Sequence, residues 1–304
     1  MAKLRTLLRL ILFLAIVSAP SYVLKRWLRM SSFHPGEDVL FLLRCAVDIP
    51  LTLFATWLMG RLESRTVAEY GLPSRRMFRS EFWRGALTGF ASVSALVGAM
   101  ALAGVFHVEG VALHGAAIVK WAAAYLFVFV LVGVREEFSS RGYLLSNLSE
   151  LLGFWPAAIA TSILFGIAHL GNRNETWTGV ANAALFGLVM CAILRRTGNL
   201  WMPIGLHAAF DWGETYFYGV ADSGAISPGH LLNTRSSGSA WLSGGVVGPE
   251  GSVFCSLLFV TLLVLFARRM RRPNAAQRSP LPQSDPITLA ASGSIANGDR
   301  GSAN

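Results

Sequence analysis

Apolar runs separated by short polar, basic-rimmed connections fill this chain from its first residues to about position 267. A bilayer crossing needs ~20 mostly apolar residues at about 1.5 Å rise each. Runs near 5–24, 38–60, 83–106, 116–150, 154–171, 177–194, 199–218 and 251–267 meet that requirement. The pattern predicts an all-α fold: a polytopic membrane protein of about eight transmembrane helices. The fourth run is too long for a simple crossing, and its second half, GVREEFSSR at 133–141, carries two adjacent carboxylates. Such groups persist at membrane depth where they face protein or a water-filled interior, so that half is expected to line an intramembrane polar cavity.

Four segments follow. Residues 1–115 hold the N-terminal transmembrane helices and a basic loop, and 116–218 the helices that carry the unusual polar residues. Residues 219–272 comprise a Gly/Ser-rich external loop and the last transmembrane helix, and 273–304 a disordered tail rich in Pro, Ser, Ala and Gly. The basic N-terminal run could pass for a secretory signal, but Pro20 directly after Ala19 makes a poor cleavage junction, so it reads as an uncleaved first span.

Composition agrees with the pattern. Charged residues make up 14% of the chain against about 25% in an ordinary soluble domain, too few for a wetted surface. The net charge of +9 would suit nucleic acid, but the Lys and Arg residues cluster at the ends of apolar runs, where bilayer orientation explains them. Nucleic acid is therefore not an expected partner. Arg61, Arg65, Arg75, Arg76, Arg79 and Arg84 crowd one connection, Arg195 and Arg196 another, and Arg268, Arg269, Arg271 and Arg272 follow the last run. An even number of spans puts these clusters and both termini in the cytoplasm, with Lys25, Arg26 and Arg29 the exceptions. The compact, basic-looped form points to a bacterial plasma membrane. Cys45, Cys191 and Cys255 all sit in apolar runs without metal-ligand spacing and read as small buried hydrophobes.

Titratable groups inside spans are functional candidates by default. Arg44 and Asp48, four apart, are expected to pair with each other, and Lys120 can snorkel from its helix end. Glu136, Glu137, Arg141, His169, His207, Asp211 and Glu214 are harder to dismiss. Glu137 and Arg141 are four apart, which lets the arginine neutralise one carboxylate while Glu136 faces elsewhere. His207, Asp211 and Glu214 share one helical face. Glu136 lies 17 residues before Gly153 and His169 lies 16 after it, so an antiparallel hairpin turning there brings both to similar depth. A lone buried histidine is ordinarily a satisfied core residue; two histidines and several carboxylates on three spans form a constellation.

EEFSSR at 136–141, FGIAH at 165–169 and NLWMPIGLHAAFD at 199–211, in this order, resemble the three motifs of the CAAX protease and bacteriocin-processing (CPBP, or Abi) family of intramembrane glutamate endopeptidases. That family includes the type II CAAX prenyl proteases. GPEGS at 248–252 also resembles a family element. The resemblance implies a helical membrane enzyme with a conical cavity open to water, cutting a peptide or protein substrate at the bilayer. Glu136 and His169 would activate a water molecule, His207 and Asp211 would stabilise the oxyanion, and Glu137 with Arg141 would support them. Prenyl proteases carry Asn where this chain has Asp211, and an ionised Asp cannot donate as an amide does. Asp211 would then either be protonated or orient His207 by accepting from its ring. No cofactor is implied. Two alternatives stand beside this reading: a zinc hydrolase using Glu136, His169 and His207, although no HExxH occurs, and a non-catalytic transport or immunity protein.

Overall fold

The computed structural model describes residues 2–30, 37–172 and 174–268. In chain order the helices are α1 (Ala2–Met30), α2 (Glu37–Glu63), α3 (Ser80–Leu102), α4 (Ala116–Arg141), α5 (Tyr143–Leu152), α6 (Phe154–His169), α7 (Trp177–Thr197), α8 (Trp201–Trp212), α9 (Ala240–Ser243) and α10 (Val253–Arg268). Each predicted apolar run falls on helix, the fourth on both α4 and α5. By length and composition, Ser80–Leu102, Ala116–Leu152 and Trp177–Thr197 can cross a membrane, and α6 and α10 are shorter apolar helices. The outward faces are apolar: Leu87, Val119, Phe127, Ile163, Leu164 and Leu257 are all exposed, as lipid-facing side chains are.

Two expectations need correction. The fold is mostly helical rather than all-α, because β1 (Phe106–Val111) pairs antiparallel with β2 (Leu232–Ser236). β2 lies in the segment expected to be a plain external loop. FHVEGV is a short run of aromatic and β-branched residues that suits an edge ribbon, and a register shift between Val108 and Gly110 lets it bend. The fourth run does continue as helix through Arg141, but it breaks at Gly142 rather than running unbroken to Gly153. A Cβ at 142 would sit 2.5 Å from the Phe138 carbonyl, so glycine lets the chain fold over its own last turn. Asp48 pairs with Arg135 at 3.7 Å, while the Arg44 side chain, and with it the expected Arg44–Asp48 pair, lies outside the described residues. The tail from 273 also lies outside the described residues. Lys120 is exposed and lies over the Trp121 ring, as its position near a helix end suggested.

The buried core has two main parts. One gathers Val93, Leu96 and Met100 of α3, Val189, Met190 and Ile193 of α7, Leu206 and Phe210 of α8 and Phe259 of α10. The other joins α1, α2, α4 and α5 through Phe13, Met59, Phe138 and Tyr143, and closes on Leu200 and Ile204. Helix α8 belongs to both. It approaches α3 backbone to backbone: a Cβ on Gly85 would lie 2.1 Å from the Met202 carbonyl, and one on Gly89 or Gly205 equally close to the carbonyls of Leu206 and Phe82. Gly133 does the same for α4, where a Cβ would meet the Ile204 carbonyl at 2.9 Å. Small residues at helix crossings permit this approach where hydrocarbon surroundings give helices little reason to associate otherwise.

Gly89→Ala is therefore expected to push α3 from α8 and to cost ~1–3 kcal/mol, seen as a lower unfolding midpoint in detergent. Gly98→Ala on the same helix, where a Cβ meets nothing within 4 Å, is expected to leave the midpoint unchanged or to raise it.

Candidate active site

Helix α4 delivers Glu136, Glu137 and Arg141, and α8 delivers His207 and Asp211. Glu137 is completely buried and joins the two helices. Its Oε2 accepts from Arg141 Nη1 at 2.7 Å, and its Oε1 lies 2.8 Å from His207 Nδ1. A carboxylate already held by an arginine can only accept, so Nδ1 carries the hydrogen and donates it to Glu137. Arg141 is fixed further by donating Nε–H to the Gly187 carbonyl at 3.3 Å and by lying over the Phe165 ring, 4.6 Å from its centroid. The bond that sets the His207 ring thus comes from Glu137. Phe186 packs against that ring edge-on, with centroids 5.0 Å apart.

With Nδ1 engaged, Nε2 is the nitrogen His207 offers. It lies 3.4 Å from Asp211 Oδ2 and 3.9 Å from Glu136 Oε2. Glu136 forms an ion pair with its neighbour Arg135, which also reaches Asp48 on α2. Glu136 is only partly buried, whereas Glu137 is sealed, so the two adjacent carboxylates occupy different environments. The i, i+4 pair of Glu137 and Arg141 is formed as its spacing suggested, whereas the contact of Arg135 with Glu136 and Asp48 carried no such signal. Asp48 contributes a contact from α2 to Arg135 of α4 in addition to whatever its own helix supplies.

His169 ends α6, and its Nδ1–H donates to the Phe165 carbonyl at 2.8 Å. It lies near enough to Glu136 for their charges to interact, but the bonds of each go elsewhere: Glu136 to Arg135 and His169 to its own helix. His169 lines a cavity of about 10 Å³, room for a single water, together with Glu175, Asn182, Ser223 and Glu250. Asn182 of α7 builds the far wall. Its Nδ2 donates to the carbonyls of Glu250 and Ser252, at 2.6 and 3.0 Å. This pins the GPEGS turn to the helix, and Glu250 Oε2 in turn accepts from Ser223 N and Oγ at 2.8 Å. Asn182 carried no sequence signal, since one Asn in an apolar run is unremarkable.

Helix α8 widens into a π-helical turn at Gly213–Tyr218, and Glu214 lies in that turn. Among the described residues, the acidic and histidine side chains whose ligand atoms converge within 4.8 Å are Asp211, Glu214 and Asp222. Glu136, His169 and His207, the set considered for zinc, do not converge in this way.

Residues 118–213 match the family model described as type II CAAX prenyl endopeptidase Rce1-like. The matched segment holds Glu136, Glu137, Arg141, His169, His207 and Asp211. No curated protein and no solved structure matches the chain.

Removing Glu137 would leave the Arg141 guanidinium buried without its carboxylate. Glu137→Ala is expected to cost about 3–5 kcal/mol in a denaturant or thermal unfolding measurement. Arg235→Gln, which breaks an exposed pair with Glu109 on the ribbon, is expected to leave the midpoint where it was.

Proposed function

We propose, from the premise that residues 118–213 form an Rce1-like CAAX endopeptidase-family domain, that the protein hydrolyses a peptide bond by means of a water molecule activated at Glu136. The bond lies near the membrane surface, in a membrane-associated substrate of the prenylated or leader-peptide kind. The chain is read as about eight transmembrane helices in a bacterial plasma membrane, with both termini in the cytoplasm and residues 116–218 as the catalytic helices. The observation that carries the proposal is the sealed Arg141–Glu137–His207 chain. It orients a histidine nitrogen toward a second carboxylate that is not sealed.

The chemistry follows from those positions. Amide hydrolysis needs a base for the water, a donor for the oxyanion and an acid for the leaving amine. Glu136, the accessible carboxylate, takes the proton from water and later returns it to the departing nitrogen. Arg135 keeps that carboxylate ionised and turned toward the site between turnovers. His169 supplies the second contact to the water from the wall opposite. As an imidazolium, His207 donates Nε2–H to the oxyanion, and the surrounding carboxylates of Glu136, Glu137 and Asp211 offset its charge. Preorganisation rests on Glu137: because Arg141 and His207 share it, the donor is aimed before substrate arrives. Asp211 stands close enough to Nε2 to compete for its hydrogen, and this sets it apart from the amide that prenyl proteases carry at this position.

Glu136→Gln is expected to lower kcat/KM by ~10²–10⁴ while leaving the unfolding midpoint near wild type. Peptidomics of membranes expressing wild-type or Glu136→Ala protein should show a wild-type-dependent product and locate the cut. A Glu136→Ala protein that cleaves normally overturns the proposal. Cleavage is also expected to persist in 1,10-phenanthroline; loss of activity restored by zinc would move the reading to the zinc alternative.

A further inference from the structure

Glu214 sits in the π-helical turn after α8 with none of its surface exposed, and among the described residues neither carboxylate oxygen has a hydrogen-bond partner. A buried acid without a donor is costly whether it is charged or neutral, and native structures rarely leave one so. Its neighbours make this worse. Glu214 feels the charges of Glu250, Asp222 and Asp211, all of its own sign. One oxygen from each of Glu214, Asp211 and Asp222 comes within 4.8 Å of the others.

That spacing suits a hard cation. Carboxylate oxygens around calcium lie about 2.3–2.6 Å from the ion, so oxygens on opposite sides of it are separated by roughly twice that distance. The three converging donors are all oxygen, with no thiolate or imidazole nitrogen among them. This chemistry favours calcium or magnesium over zinc. Asp222 is anchored by Thr215 Oγ1–H at 3.1 Å on the same π-turn, and as the half-buried member it marks the side from which an ion enters. Glu250, fixed by Ser223, adds a fourth negative charge without needing to be a ligand.

We infer that Asp211, Glu214 and Asp222 form a binding site for one hard divalent cation of the calcium class. Binding itself does not depend on the proteolytic reading. Its consequence does: an ion on Asp211 draws that carboxylate away from His207 Nε2, leaving the imidazole hydrogen for the oxyanion.

The test uses the full chain in detergent, stripped with EGTA and EDTA and then titrated with CaCl₂ or MgCl₂ by isothermal calorimetry and thermal unfolding. One site per chain and a raised midpoint are expected. Glu214→Gln and Asp222→Asn should each weaken the ion by ~10–100-fold, at least the loss that an outer-shell partner causes. Should Glu214→Gln fail to fold, Asp222→Asn, half-buried and outside the core, still decides the matter. Absence of binding at millimolar Ca²⁺ and Mg²⁺ overturns the inference, as does binding that both variants retain. A Glu214→Gln protein at least as stable as wild type, with neither protein responding to the ions, also overturns it, since the acid is then a neutral, proton-carrying group. Because the readout is binding and not cleavage, its failure is separate from failure of the protease proposal.

Discussion

The fully buried carboxylate of Glu137, shared between Arg141 and His207, is the interaction on which the rest of the arrangement depends. In an apolar interior a charge is tolerable only when paired and fully hydrogen-bonded. Arg141 alone would satisfy one oxygen; the other needs a donor, and His207 is that donor. The pairing therefore does two things at once. It makes the charges bearable, and it settles which nitrogen of His207 is left for chemistry. A lysine in place of Arg141 would deliver a point charge but could not also donate from a second, fixed direction to the Gly187 carbonyl while lying flat over Phe165.

This interaction demands that α4 and α8 come very close, and the glycines explain how they do. Gly133 admits α8 against α4, and Gly85, Gly89 and Gly205 admit it against α3. Helix α8 is thus gripped on two sides through backbone contact. A carboxylate–imidazole bond of 2.8 Å between two helices would not survive a methyl group's displacement of either helix axis. At Gly187 a Cβ would lie 2.8 Å from Arg141 Nη2, so the third wall obeys the same rule. Packing and polar chemistry here are one constraint.

How much of this the sequence disclosed depends on the range of each interaction. The helices were legible because hydrocarbon imposes a long apolar signature, and three of the segments, Ser80–Leu102, Ala116–Leu152 and Trp177–Thr197, are long and apolar enough to cross a membrane. Glu136, Glu137, Arg141, His207 and Asp211 were legible because charge within such a run is conspicuous. The break at Gly142 was not, since glycine occurs often in these helices and only the close Phe138 carbonyl reveals the need for it. The β1–β2 ribbon joins segments more than a hundred residues apart, and neither strand is long enough to declare itself. Asp48 illustrates the limit most clearly. Its spacing from Arg44 suggested a local pair, and nothing in that spacing announced the contact with Arg135 on another helix.

The helical face of α8 carries two electrostatic systems that meet at Asp211. Toward α4, acid and base are balanced: Glu137 with Arg141 and His207, and Glu136 with Arg135. Toward the loop beyond the π-turn, Asp211, Glu214, Asp222 and Glu250 accumulate with no arginine or lysine paired to them among the described residues. Glu214 lies two turns beyond His207 and about one beyond Asp211, where the π-turn begins. There it stands with the other acids, one oxygen each of Asp211, Glu214 and Asp222 coming within 4.8 Å of the others. Asp211 is the member of that cluster in contact with the imidazole, so whatever neutralises the cluster also sets how freely His207 can give its hydrogen to a substrate.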